Sequence, residues 1–355
     1  MLDDKFFRIG YGIIIILLII FLAGQIPYIM TPLTSVLSFV LLPLLLSTFF
    51  YYLIRPLVRF LTPIVRSKSL AALISLTFVI LILFFVFYFG GSIIYQQGRE
   101  LSSNYQQIYD SILELFSSVR EYVDVELDSS FFTDFNIRDR IYQYTDEIIN
   151  RISSYNYMGI FSSLTNFGLV LILIPLVLFY FLKDDELLCE NTLKAIPKSK
   201  REEVEELGYE IDQLLSTFIN SQLVVAIFLG LVMFIGFLII GLPNALALAS
   251  IAMITSLVPI IGPFFGSLPA VFVALTNSWM LLLGVLVILM LAQYLEGNLI
   301  RPLVQGRRLE IHPLVVLFVV LSGVYLFGFI GALTAVPVYV VVRLIYKRRF
   351  LKEEK

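Results

Sequence analysis

The chain has 355 residues, 59% of them hydrophobic and only 15% charged, where soluble domains carry roughly 25% charged residues. Its net charge of −2 points to no partner. The single cysteine, Cys189, excludes an internal disulfide and a Cys-based metal site, and the single histidine, His312, excludes His-cluster metal sites and most His-based catalysis.

Such a composition describes a polytopic membrane protein. Apolar runs of about 20 residues suffice to cross a bilayer as helix, and they fall at 9–29, 33–54, 70–94, 157–182, 214–240 and 278–296. The first follows a half-acidic N-terminus and no small-x-small cleavage site closes it, so it reads as an uncleaved span. Between the second and third, "RPLVRFLTPIVRSK" (55–68) has four basic residues and no acid, which places it in the cytoplasm. By alternation the N-terminus is inside and 95–156, with five basic and eleven acidic residues, is outside.

The outer segment reads as a helical hairpin. Leu101, Tyr105, Ile108, Ile112, Leu115, Val119 and Tyr122 recur in steps of four and three, a seam suited to packing on another helix, in this chain or in a neighbouring subunit. A second helix runs from about 137 to 155, after the breaker "DVELDSSFFTDFN". In the cytoplasmic segment 183–213, "SKREEVEEL" opens a helix with a capping box of Ser199 and Glu202. That helix is expected to run straight into the span at 214.

Two further apolar runs, 245–277 and 313–342, would measure about 45–50 Å as straight helices. That is too long for one span of about 30 Å and too short for two. Both contain helix breakers: Pro259, Gly262, Pro263, Gly266 and Pro269 in the first, Gly328, Gly331 and Pro337 in the second. The basic residues of 297–312 and of the tail place both flanks of 313–342 inside, so that run enters and returns. By the same reasoning 245–277 enters from outside and returns there. Residues 214–277 and 278–342 are then two units of 64 and 65 residues, each a span plus a hairpin, in opposite orientation. Inverted repeats with interrupted helices mark secondary transporters. The alternative is eight spans, two of them kinked.

Motifs of soluble enzymes are missing: there is no P-loop, no H-E-x-x-H, and no acid pair in mid-span. The candidate chemistry lies near the breaks. An interrupted helix frees N–H groups and carbonyls that bind polar solutes or cations, with Thr255, Ser256 and Ser267 beside the break to add hydroxyls; the plainer reading is a structural kink. Gln222 would hydrogen-bond a solute hydroxyl, an exposed hairpin carbonyl, or a neighbouring helix. Gln293, Glu296 and Asn298 close the span at 278. Glu296 is either an ion- or proton-coupling carboxylate or an interfacial acid paired with Arg301. His312 is either a titrating group or a loop residue bonding locally.

The stretches "YYLIRPLVRFL", "FYFLKDDELL", "LVPIIGPFFGSLPAV", "YLEGNLIRPLVQGRRLEIHPLVVL" and "GVYLFGFIGALTAVPVYVVV" resemble, in order and over nearly the whole chain, the AI-2E family of autoinducer-2 exporter-like, PerM-like permeases. The positions carrying the resemblance include Pro259, Gly262, Pro263, Pro269, Glu296, Asn298, Pro302, Gly306, His312, Pro313, Gly328, Gly331 and Pro337. Ser221 stands where the family often has Gly. The resemblance implies an exporter of small polar solutes, with sodium/proton antiport associated with some members.

The expected fold is an all-α polytopic membrane protein with six full spans, two oppositely oriented re-entrant hairpins and an extracellular helical hairpin. Its parts are a scaffold (1–94), the outer hairpin (95–156), a fourth span with a cytoplasmic helical segment (157–213), an inverted-repeat transport unit (214–342) and a basic tail (343–355). Expected partners are a small polar solute, Na+ or H+ as coupling ion, the lipid bilayer and further copies of the chain; no nucleic acid, cofactor or enzymatic activity is expected. The expected location is the cell membrane with both termini cytoplasmic. A non-transporting membrane scaffold that recruits partners through 95–156 or 183–213 is the rival from another class.

Overall fold

The structure, a computed structural model, describes residues 27–103, 157–305 and 311–350, together with helical residues among 11–22. The heptad seam from Tyr105 onward and the second outer helix lie outside the described residues. So does Gly306. Every described element is a helix: α1 (Pro27–Val65), α2 (Lys68–Ser103), α3 (Tyr157–Lys194), α4 (Lys198–Ile239), α5 (Ala245–Thr255), α6 (Ile261–Asn277), α7 (Trp279–Leu295), a π-helical turn (Glu296–Ile300), α8 (Arg301–Gln305) and α9 (Pro313–Phe350).

Among the described residues, five helical stretches are long and apolar enough to cross a membrane: Phe39–Val65, Lys68–Ile93, Lys198–Ile239, Trp279–Val304 and Pro313–Arg349. Their outer faces fit that medium. Phe84, Tyr88, Ile172, Ile239 and Met290 are each at least 60% exposed, apolar surface that water would not tolerate on this scale. Helix α4 runs unbroken for 42 residues from the polar segment into the apolar one. It starts at Lys198 after Pro197, with no side-chain cap, so the capping box of Ser199 and Glu202 does not form. Proline fixes its own φ and ends the preceding turn, and here that moves the helix start ahead of Ser199.

The chain doubles back at both sets of breakers. Between α5 and α6 it turns through Ser256–Ile260, and the two helices pack on each other. Their backbones are so close that a Cβ on Gly262 would stand 1.8 Å from the Thr255 carbonyl oxygen, and one on Gly266 would stand 1.9 Å from Thr255 Oγ1. Helix α9 is broken at Phe327 and Gly328, where Gly328 takes φ +61° and ψ −142°, a conformation open to glycine and costly to other residues. Residues eight apart in a straight helix are separated by about 12 Å. Here a Cβ on Gly331 would lie 1.9 Å from the Gly323 carbonyl oxygen, so α9 is a tight hairpin and not a single rod.

Each hairpin has its own core, and α4 serves both. One core gathers Phe49, Ile54 and Val58 of α1, Leu178 and Leu182 of α3, Phe218 and Ile219 of α4, and Leu333 and Val336 of α9. The other gathers Val225, Leu229, Met233 and Phe237 of α4, Leu248 and Ala252 of α5, Val273 of α6 and Val285 of α7. Ion pairs tie the same end of the bundle together. Asp212 of α4 accepts two hydrogen bonds from Arg55 Nη1 (2.8 and 3.1 Å) and one from the Tyr52 hydroxyl (3.0 Å). Asp185 of α3 accepts from Lys68 Nζ (2.5 Å) and the Tyr51 hydroxyl (3.1 Å). Arg348 of α9 bonds to Glu206 of α4. Burial works against ionisation of Asp185, but the Lys68 ammonium and the Tyr51 hydroxyl outweigh it and hold the carboxyl below its ordinary range.

Candidate functional site

A cavity of about 350 Å³ opens where the two hairpins meet the end of α7. The first hairpin contributes Pro259 and Ile260 from its tip. The second contributes Val316 and Val336 from its two arms, with Pro313 at its start. Gln293, Glu296, Gly297 and Arg301 come from the end of α7 and the turns after it, and Phe218 from α4. The wall is largely apolar with a few convergent polar groups, the usual makeup of a small-molecule site.

The π-helical turn sets the polar part. In an α-helix, residues five apart point about 140° away from each other. The i→i+5 bonding of a π-turn stacks them instead, and the Arg301 N–H donates to the Glu296 carbonyl. Arg301 is thereby carried back over Glu296, whose Oε1 accepts from Arg301 Nε (2.9 Å) and Nη2 (2.5 Å). The Glu296 side chain is 4% exposed. Its second oxygen, Oε2, is buried without a hydrogen-bond partner, so this cavity-lining residue keeps one unpaired acceptor. Such an arrangement can take a solute hydroxyl, an ammonium or a cation while the guanidinium holds the carboxylate in place.

Behind the tip, Gln222 is 1% exposed and donates through Nε2 to the Ser256 carbonyl at 2.7 Å. Of the three partners the sequence allowed for it, the structure pairs it with a hairpin carbonyl. Its Oε1 is buried without a partner. Thr255 Oγ1 donates to the Ile251 and Ala252 carbonyls, and Ser256 Oγ to Ala252, so both hydroxyls serve their own helix end. Ser267 does the same with Phe264. Asn298 is exposed, donates to the Tyr294 carbonyl at 3.0 Å and does not line the cavity. His312 is exposed, and its Nδ1 accepts from the Leu314 N–H at 3.2 Å, capping α9. Gly262, Pro263 and Gly266 are buried in the first hairpin and Pro269 lies within α6. Gly331 and Pro337 lie in the second hairpin, and Pro302 in α8. Among the described residues no three His, Cys, Asp or Glu side chains gather as metal ligands.

Sequence reasoning passed over Ile260, Phe218, Val316 and Val336 as cavity wall. The last three carry no signal beyond apolarity. Ile260 has φ +67° and ψ −57°, and nothing in a β-branched residue announces that.

A family model described as AI-2E family transporter matches residues 11–349. The chain belongs to the AI-2E family. YueF of Bacillus subtilis strain 168, named as a candidate transport protein, is 31% identical over 345 residues, covering 97% of this chain and 93% of its own. YrrI of the same organism is 28% identical over 341 residues, with 93% and 92% covered. PerM of Escherichia coli K12, named as a candidate permease, is 27% identical over 315 residues, 86% of either chain. As an AI-2E family member with several membrane-length apolar helices, the chain is a membrane protein of a transporter family. The AI-2E match takes in both hairpins and the cavity between them.

Proposed function

We propose that this protein is a secondary transporter that exports small polar solutes of the autoinducer-2 type across the cell membrane, through the cavity between the two hairpins. The observation that carries the reading is Glu296: a buried carboxylate, fixed on one oxygen by Arg301 and open on the other, at the meeting point of two helical hairpins. Intramembrane acids are costly and tend to serve function. Interrupted helices meeting at a site are a recurrent transporter device.

In this reading α5–α6 and α9 are re-entrant from opposite faces, and six full spans complete the chain, with both termini in the cytoplasm. Residues 1–94 form an oligomeric scaffold, and 214–342 moves against it in the manner of an elevator. A second reading, Na+(Li+)/H+ antiport, is favoured by the same unpaired oxygen, because carboxylate oxygens are the usual ligands of hard cations.

The protein reconstituted in liposomes decides between them. Proton flux driven by Na+ or Li+, abolished by Glu296→Gln, identifies the antiporter. Flux of small polyhydroxylated solutes, without Na+-driven proton movement, identifies the exporter. No flux of either kind would overturn both and favour the scaffold.

A further inference from the structure

The tip of the first hairpin holds a strained residue at the mouth of the cavity. The Ile261 N–H donates to the Pro259 carbonyl at 2.7 Å, an i→i+2 bond that closes a three-residue turn around Ile260. With φ +67° and ψ −57° at Ile260, this is the γ-turn of positive φ, the rarer and strained of the two forms. Positive φ in a β-branched residue is an outlier. Backbone strain of this kind persists only where the surroundings enforce it, and it concentrates at clamps and switches. The surroundings here are specific. Pro259 fixes one side of the turn, Gln222 holds the Ser256 carbonyl, and the Val258 N–H is bonded to the Thr255 carbonyl. The Ile260 side chain is still 40% exposed and lines the cavity with Glu296 and Arg301. The strained turn thus sets a sec-butyl group on the wall of the cavity that Glu296 and Arg301 also line.

We propose that Ile260 is the gate of this cavity: a specificity-determining plug, held over Glu296 by a strained turn, that must swing aside before a polar solute reaches the carboxylate. The proposal rests on the transporter reading, deepens it, and is tested without any flux.

In a background of Cys189→Ser, which removes the exposed native thiol, Val336→Cys places a reporter on the cavity wall at a position that is 1% exposed. Its alkylation rate by a bulky polar maleimide is measured in detergent with Ile260 present and with Ile260→Val, Ile260→Ala and Ile260→Gly. The Ala and Gly variants both lose the side chain that plugs the cavity and should label about tenfold faster, while Val, still β-branched and apolar, stays near the parent rate. Ile260→Gly should also melt higher than Ile260→Ala, since glycine accepts positive φ without strain. Equal labelling in all four proteins overturns the gate. A Gly variant that melts no higher than the Ala variant overturns the strained hold. Faster labelling in a protein that moves no solute would leave the gate standing and sink the transporter reading instead.

Discussion

Gln222 reaches across 34 positions of chain to donate its side-chain amide to the Ser256 carbonyl, at 2.7 Å and out of contact with solvent. The carbonyl belongs to the last turn before the hairpin tip, where the helix itself supplies no N–H. Replacing Gln222 with Leu leaves that carbonyl buried and unpaired, at a cost of about 1–3 kcal/mol. The melting temperature in detergent should fall by several degrees. Labelling of a cysteine placed at Val336, which is 1% exposed on the cavity wall, should rise with it, because the tip loses its tether.

The glycine contacts inside the hairpins admit no Cβ. Gly262→Ala would press on the Thr255 carbonyl and Gly331→Ala on that of Gly323, each from under 2 Å. Backbone cannot yield as a flexible side chain does, so each helix pair must splay. Both variants should show sharply reduced melting temperatures and poor monodispersity in size-exclusion chromatography. Gly91→Ala, which meets nothing within 4 Å, is the matched control and should behave as the parent.

Glu296 and Arg301 are unequal partners. Removing Arg301 as Arg301→Met strands a carboxylate that is 4% exposed, and breaking such buried pairs costs about 3–5 kcal/mol. Glu296→Gln keeps the shape, frees a guanidinium that is 27% exposed and should cost far less. Thermal unfolding of the two single variants should therefore rank Arg301→Met well below Glu296→Gln. The double variant should recover part of the loss. Equal losses would mean that the carboxylate is not buried as described.

Acid sensitivity should trace to Asp185. Its carboxyl titrates below the usual value of 3.8, held down by Lys68 and Tyr51 against the opposing effect of burial. A depressed folded-state value contributes stability above the unfolded value, and that contribution is lost as pH falls through the folded one. Melting temperature should thus hold steady down to about pH 4 and drop below it. Asp185→Asn should start lower at neutral pH and lose that acid-dependent drop. An unchanged profile in Asp185→Asn would remove Asp185 from the account.

The places where the chain doubles back were legible because proline and glycine act locally. The cluster from Pro259 to Pro269 and the glycines around Gly328 forbid a regular helix whatever surrounds them. Glu296 and Arg301 were legible as a pair, since both stand out in apolar sequence. Their geometry was not, because a π-turn is one extra residue per turn and leaves the residue pattern unchanged. Ser199 and Glu202 show the opposite failure: the capping pattern is present, but Pro197 starts the helix first. Lys68, Asp185 and Asp212 lie just past the ends of apolar runs, and Tyr51 and Tyr52 lie at the end of one. Which acid meets which base, over separations of more than 100 residues, is a property of packing and not of any local stretch.

Helix α4 is 42 residues of unbroken rod, about 63 Å long, and its side chains enter both cores. Its middle grips α1 and the second hairpin through Phe218 and Ile219, and its C-terminal half grips the first hairpin through Leu229, Met233 and Phe237. A rod cannot tilt at one bearing and stay still at the other. The two hairpins that wall the cavity thus share one helix as their common support, and a rigid shift of α4 would displace both together.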